Sequence, residues 1–169
     1  MIIRKEEPKD YDGIYNLIKT AFKTAKVSNG DEQDYAAGLR NSDRYISELA
    51  LVAVKNSKLI GQIMLTKNCI ETGAENIECL LLGPVSVLLE YRNMGIGASL
   101  VNTALSTAKD LGYKAVFLCG DPDYYGRFGF ISVSNYDIKP SMDIPVKYVL
   151  TCELQQGWLK GIKGAVNIV

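Results

Sequence analysis

"YRNMGIGASL", Tyr91 to Leu100, sets an arginine, two closely spaced glycines and a small residue between an apolar run and a helical pattern. The run before it, "NIECLLLGPVSVL" (76–88), is apolar nearly throughout, as a central strand covered on both faces would be. Gly83-Pro84 inside that run predicts a bulge or splay, because proline cannot donate to a sheet ladder. The stretch after it, "GIGASLVNTALSTAKDLG", places Ile96, Leu100, Val101, Ala104, Leu105, Ala108 and Leu111 on one side and ends at Gly112. That spacing predicts a helix with a glycine cap. A helix start leaves its first backbone N–H groups unpaired and carries partial positive charge, so it is a ready anion site. Gly95 and Gly97 remove the β-carbons that would hold a phosphate away from those groups, and Arg92 adds a fixed positive charge. The stretch therefore predicts a phosphate or pyrophosphate on the backbone of residues 93–98. Glycines that only cap a helix and permit close packing are the alternative.

Spacing narrows the ligand. A mononucleotide P-loop needs a Lys after its last glycine, and none follows Gly97. The dinucleotide fingerprint needs a third Gly or Ala three residues after the second, where this chain has Leu100.

Working outward, "MIIRKE" reads as an opening strand and "PKDYDGIYNLIKTAFKTA" as a helix with Pro8 in its first turn. Asn29-Gly30 breaks the pattern before a second helix, "DEQDYAAGLR". "LALVAVKN" and "KLIGQIMLTKNCIE" read as two strands joined across a hairpin turn. Beyond the long helix, "KAVFLCG" is a buried strand and "DPDYYGRF" a short helix opened by Asp-Pro. "GFISVSN" and "KYVLTCELQ" add two more strands. The order βααβββαβαββ predicts an α/β (α+β) fold, a mixed sheet of about seven strands flanked by about four helices. No linker, repeat or charge block divides residues 1–169, so one domain is expected.

Composition removes several classes of function. Lys and Arg total 19 and Asp and Glu total 19, so the formal net charge is zero, which argues against a nucleic-acid partner. The N-terminus turns charged within a few residues and no apolar run is long enough to span a bilayer, so a cytoplasmic protein without a membrane partner is expected. Cys69, Cys79, Cys119 and Cys152 form no C-x-x-C pair and are expected as free thiols. The chain has no histidine, which excludes the usual Ser-His-Asp and Cys-His sites and argues against a metal. Proton transfers would then rest on Tyr, Lys, Cys, carboxylates or water.

"VSVLLEYRNMGIGASLV" resembles the acetyl-CoA-binding motif of the GNAT superfamily of N-acetyltransferases: Arg or Gln, two residues, Gly, one residue, then Gly or Ala, at the head of the helix after the fourth strand. Arg92, Gly95 and Gly97 fill those places. "YYGRFGF" resembles the superfamily's later motif, a Tyr on a short helix followed by Gly-Phe, and the element order is also that of the family. "LGPVSV", "GDPDYYGRFGF" and the tail "LQQGWLKGIKGAV" further resemble the bacterial YhbS-like subgroup.

The resemblance implies a GNAT acyl-CoA fold and an enzyme that uses acetyl-CoA as donor. Its backbone contacts to the pantetheine arm map onto Val85, Ser86 and Val87. The pyrophosphate falls on Arg92, Asn93, Met94, Gly95, Ile96, Gly97 and Ala98. The family's acid, four residues before the Gly-Phe glycine, is Tyr125. Tyr124 lies about 100° round the same helix, so only one of the two can face the sulfur. A purely core role for Tyr125 is the alternative. Glu78 is the candidate base, acting through water, and a solvated strand carboxylate is its other reading. Asp121 and Asp123 are expected to cap the short helix. Cys119 lies near the thioester in this picture, with no histidine to activate it. The acceptor would be a small-molecule or peptide amine lined by residues 24–42 and 134–146, and the acidic start of "DEQDYAAGLR" suits an amine. A monomer or homodimer fits the apolar tail. A non-catalytic acyl-CoA-binding sensor on the same fold is the alternative to an enzyme.

Overall fold

The structure, a computed structural model, describes residues 1–26 and 28–169. Among these it has nine strands and four α-helices, in two compact units: residues 1–66 with 83–107, and residues 67–82 with 108–169. The mixed α/β class agrees with the expectation.

In the first unit β1 (Ile2–Lys5), β2 (Ala50–Lys55) and the first part of β3 (Lys58–Glu71) form an antiparallel meander, with Ile3 opposite Ala53 and Ala50 opposite Met64. The predicted hairpin turn is present: Asn56 and Ser57 both have positive φ, 48° and 61°. Two consecutive left-handed residues match the right-handed twist of the flanking strands. The helices α1 (Tyr11–Phe22) and α2 (Glu32–Arg40) present Ile14, Ile18 and Ala36 to Val52 of β2. Leu39 meets Ala50 and Met64. A 3₁₀ turn at Pro8–Asp10 leads into α1. Asp10 closes it, accepting the Glu7 N–H at 2.9 Å and both Arg4 Nη atoms at 2.7 and 3.0 Å. That charged hydrogen bond holds the Asp10 carboxyl below its usual range.

A second ion pair in this unit is nearly dry. Arg40 donates to Glu6 through Nε (2.7 Å) and Nη2 (3.0 Å), the Tyr45 hydroxyl donates to Glu6 Oε1 (2.9 Å), and the guanidinium lies 4.1 Å from the Tyr11 ring centroid. It ties the strand-1 exit to α2.

In the second unit the start of β4 (Asn76–Val87) runs parallel to β5 (Ala115–Cys119), with Leu80 opposite Val116. β5 pairs antiparallel with β8 (Val149–Glu153), which also pairs with β6 (Ile131–Ser132). Two strands exceed the expected seven. β7 (Ile138–Pro140) runs parallel to β9 (Gly164–Val166), and β9 pairs with β3 at Ile70 and Glu71. Each spans only three residues, too short to show alternation. β6 is shorter than its apolar run suggested, because the Ser132 hydroxyl accepts the Ser134 N–H and starts a 3₁₀ turn instead. Phe117, Leu81, Cys79, Val149, Ile138, Leu159 and Val166 form the core of this unit. All four cysteines are free. Among the described residues no helix is long and apolar enough to cross a membrane.

Glu6→Ala leaves the Arg40 guanidinium, its side chain only 9% exposed, without a carboxylate. The expected loss in urea unfolding is about 3–5 kcal/mol. Glu90→Ala breaks the exposed Lys58 pair and should cost less than about 1 kcal/mol. Equal losses would show that burial does not set the value of the Glu6 pair.

Candidate active site

β4 leaves the sheet at Val87, passes through a 3₁₀ turn at Leu89–Tyr91 and enters α3 (Ile96–Asp110). The predicted helix is present, and it begins after Gly95 rather than at it. Asn93 (φ 61°) and Gly95 (φ 78°) are both left-handed, and that geometry is why position 95 favours glycine. A β-carbon on Gly95 would meet nothing within 4 Å, so the turn is open on that side. Among the described residues the first bond of the helix runs from the Ser99 N–H to the Gly95 carbonyl at 2.9 Å. The N–H groups of Ile96, Gly97 and Ala98 precede it and have no partner within the helix. The first turn of α3 carries no acidic residue. Open donors, partial positive charge and no competing carboxylate make a cradle that fits a phosphate.

Arg92, expected to set a fixed positive charge at the mouth of this turn, is held by hydrogen bonds to neighbouring elements. Its guanidinium donates to the Val87 carbonyl (3.3 Å), the Thr24 hydroxyl (3.0 Å) and the Ala21 carbonyl (2.9 Å). It therefore caps the C-terminal end of α1 and ties it to the end of β4. Three of its five N–H donors are engaged this way.

Gly83 and Pro84 lie within β4, joined by a cis peptide bond, and the strand continues through them to Val87. Where a bulge or splay was expected, a side chain of β3 bonds the strand. Gln62 of β3, 2% exposed, donates through Nε2 to the Pro84 carbonyl (3.2 Å) and to the Ser86 hydroxyl (3.1 Å). The Leu88 N–H then returns to the Ile60 carbonyl at 3.0 Å. Ser86 is buried and Val85 and Val87 are half-buried. Gln62 was missed by the sequence reading. Its one signal is a lone amide in the apolar run "LIGQIML".

In the second unit β5 ends at the exposed Cys119. Asp121 caps α4 (Pro122–Tyr125) by accepting the Asp123 N–H at 2.9 Å, as expected, and Asp123 stands inside the first turn. The Tyr125 ring packs against Phe130, Phe128 and Tyr124, with centroids 5.9, 6.3 and 5.0 Å away. Tyr124 is turned toward Arg127, whose guanidinium lies 4.5 Å from its ring centroid. Among the described residues the Tyr125 hydroxyl has no hydrogen-bond partner. Burial of its ring, and then Tyr124, push the phenol above the usual tyrosine range, so it stays protonated. Burial also pushes the Cys119 thiol up, away from the thiolate that a nucleophile needs. Glu78 is exposed near the start of β4.

The segment expected to face an acceptor uses its acids locally. Glu32 accepts the Asn29 N–H (2.9 Å), and Asp34 accepts the Tyr15 hydroxyl (2.9 Å). Val27 lies outside the described residues.

This element order, the glycine turn into α3 and the tyrosine helix after β5 define an acyltransferase of the GNAT class. The chain belongs to that family: residues 2–132 match the acetyltransferase (GNAT) domain. It is 30% identical over 140 residues to the uncharacterized N-acetyltransferase YhbS of Escherichia coli, which covers 82% of this chain and 78% of the relative. The E. coli YhbS crystal structure in complex with CoA matches with a TM-score of 0.86 at 26% identity, over 99% of this chain and 89% of that one. A GNAT family acetyltransferase from Brucella melitensis in complex with acetyl-CoA matches with a TM-score of 0.80 at 28% identity, over 98% and 93% of the two chains.

Arg92→Ala removes the cap from α1. Thermal unfolding without any ligand should show a loss on the order of 1–2 kcal/mol, the usual cost of hydrogen bonds made by a charged group. An unchanged midpoint would show that the three contacts contribute nothing.

Proposed function

We propose that residues 1–169 act as one domain that transfers the acetyl group of acetyl-CoA to a primary amine, by direct attack in a ternary complex. The observation that carries this reading is the open, left-handed turn at Gly95 that leads into an acid-free helix start. Relatives crystallised with CoA and acetyl-CoA support it.

In this reading the N–H groups of residues 93–98 hold the pyrophosphate, and the backbone of Val85, Ser86 and Val87 orients the pantetheine arm. Arg92 keeps the turn in place through α1. Acetyl-CoA supplies an activated acyl group on sulfur. A backbone N–H near Val87 stabilises the charge that develops on the carbonyl oxygen. The amine forms the new C–N bond, the C–S bond breaks, and Tyr125 donates its proton to the departing sulfur. The acceptor's proton leaves through water toward Glu78, and the Tyr125 proton is restored from solvent. A simple thiol has a pKa of about 8.5 and tyrosine about 10, a mismatch of roughly 2 kcal/mol. The upward push on Tyr125 widens that mismatch and keeps the acid loaded at every physiological pH.

Titration calorimetry of acetyl-CoA should show binding by the parent and loss of binding in Gly97→Glu, which fills the cradle with a side chain and a negative charge. Parent protein that takes up no acyl-CoA would sink the reading. Tyr125→Phe should lower kcat by about 10²–10⁴ while leaving acetyl-CoA affinity unchanged. The phenol is displaced upward from 10, so kcat should not fall from loss of the acid until above pH 10. A kcat that declines between pH 8 and 9.5 would assign the acid elsewhere. Glu78→Gln tests the relay: an unchanged kcat means water acts without it. Binding with no turnover of any amine would favour a sensor instead.

A further inference from the structure

We propose that Gly120 is a positioning residue for Tyr125, and that the space its missing side chain leaves sets where the phenol stands. The proposal rests on Tyr125 being the acid.

An ideal β-carbon on Gly120 would lie 2.6 Å from Tyr125 Cε2, 3.0 Å from Tyr125 Cδ2 and 3.1 Å from Leu118 Cδ1. The first separation is well inside van der Waals contact for two carbons, so the ring occupies the volume that any side chain at 120 would need. The ring has little freedom to move aside. Phe130, Phe128 and Tyr124 pack around it. Its own backbone N–H is fixed to the Asp121 carbonyl at 3.0 Å. Gly120 is fixed as well, because its N–H donates to the Tyr148 carbonyl at 2.9 Å beside the start of β8.

The backbone at Gly120 is not left-handed, unlike Gly95 and Gly129. Alanine is therefore conformationally acceptable there, and its contacts with the Tyr125 ring, the closest of them, and with Leu118 Cδ1 distinguish it from glycine. Gly120→Ala must turn or slide the Tyr125 ring. A misplacement of about 1 Å at a reacting group can cost on the order of 100-fold in rate.

The test uses Gly120→Ala, Tyr125→Phe and the double variant of the full chain. Tyrosine labelled with ¹³C at Cζ reports the ring, its signal assigned by its absence in Tyr125→Phe. Thiol release from acetyl-CoA is followed with water and with spermidine as probe acceptors, and acetyl-CoA binding by calorimetry. In Gly120→Ala the Tyr125 signal should shift and its phenol should begin to ionise at lower pH than in the parent. Thiol release should fall at least 10-fold, with acetyl-CoA affinity within about 3-fold of the parent's. Adding Gly120→Ala to Tyr125→Phe should cost no further rate. A Tyr125 signal unmoved by Gly120→Ala overturns the proposal, whether or not either probe turns over. So does an equal rate loss in both backgrounds. A Tyr125→Phe variant as fast as the parent instead sinks the acid reading, while the signal still reports the contact. If Gly120→Ala fails to fold, Gly120→Ala with Tyr125→Ala decides. Recovery of folding places the clash on the ring, and no recovery contradicts it.

Discussion

At Gly61 of β3 a β-carbon would lie 3.0 Å from Leu100 Cδ1, 3.2 Å from the Ser86 carbonyl oxygen and 3.3 Å from Ile96 Cγ2. The first turn of α3 thus rests on the strand where β3 has no side chain, and Ile96 and Leu100 are buried there. A helix start seated this closely on a sheet has its axis and its free N–H groups fixed before any ligand arrives. In the proposed reading that is preorganisation: the phosphate cradle needs no ordering on binding. The left-handed residues Asn93 and Gly95 then turn the chain from the end of β4 into the seated helix, and Arg92 braces the same turn from the end of α1.

The residues of this site follow two logics that the chain order hides. One is local. Gly95 is needed for its φ, and a glycine before a helical pattern shows that in sequence. The other is non-local. Arg92 reaches Ala21 and Thr24, and Gln62 reaches Pro84 and Ser86, partners that only the fold brings together. The helix start, the hairpin at Asn56-Ser57, the Asp121 cap and the tyrosine helix were legible because each depends on residues within a few positions. The destinations of Arg92 and Gln62, and the contact between Gly120 and Tyr125, were not. Strands β7 and β9 were missed for a related reason: three residues with Pro140 or Gly164 among them carry no period, and their pairing comes from partners far along the chain.

Tyr124 and Tyr125 are equivalent by composition and adjacent in sequence, yet the fold separates them. Arg127 lies over Tyr124, while Tyr125 is enclosed by Phe130, Phe128 and Gly120 with its hydroxyl unbonded among the described residues. In the proposed reading the ring packed among Phe130 and Phe128 is the positioned proton donor. The absence of histidine gives this weight, since no ordinary neutral-pH acid competes for the role.

The central claim is that the start of α3 holds the donor's pyrophosphate. Amide hydrogen exchange, resolved residue by residue with and without acetyl-CoA, tests it most directly. Protection of the amides from Gly95 to Ala98 on adding acetyl-CoA is the predicted result. Unchanged exchange there, with protection appearing elsewhere in the chain, would contradict it.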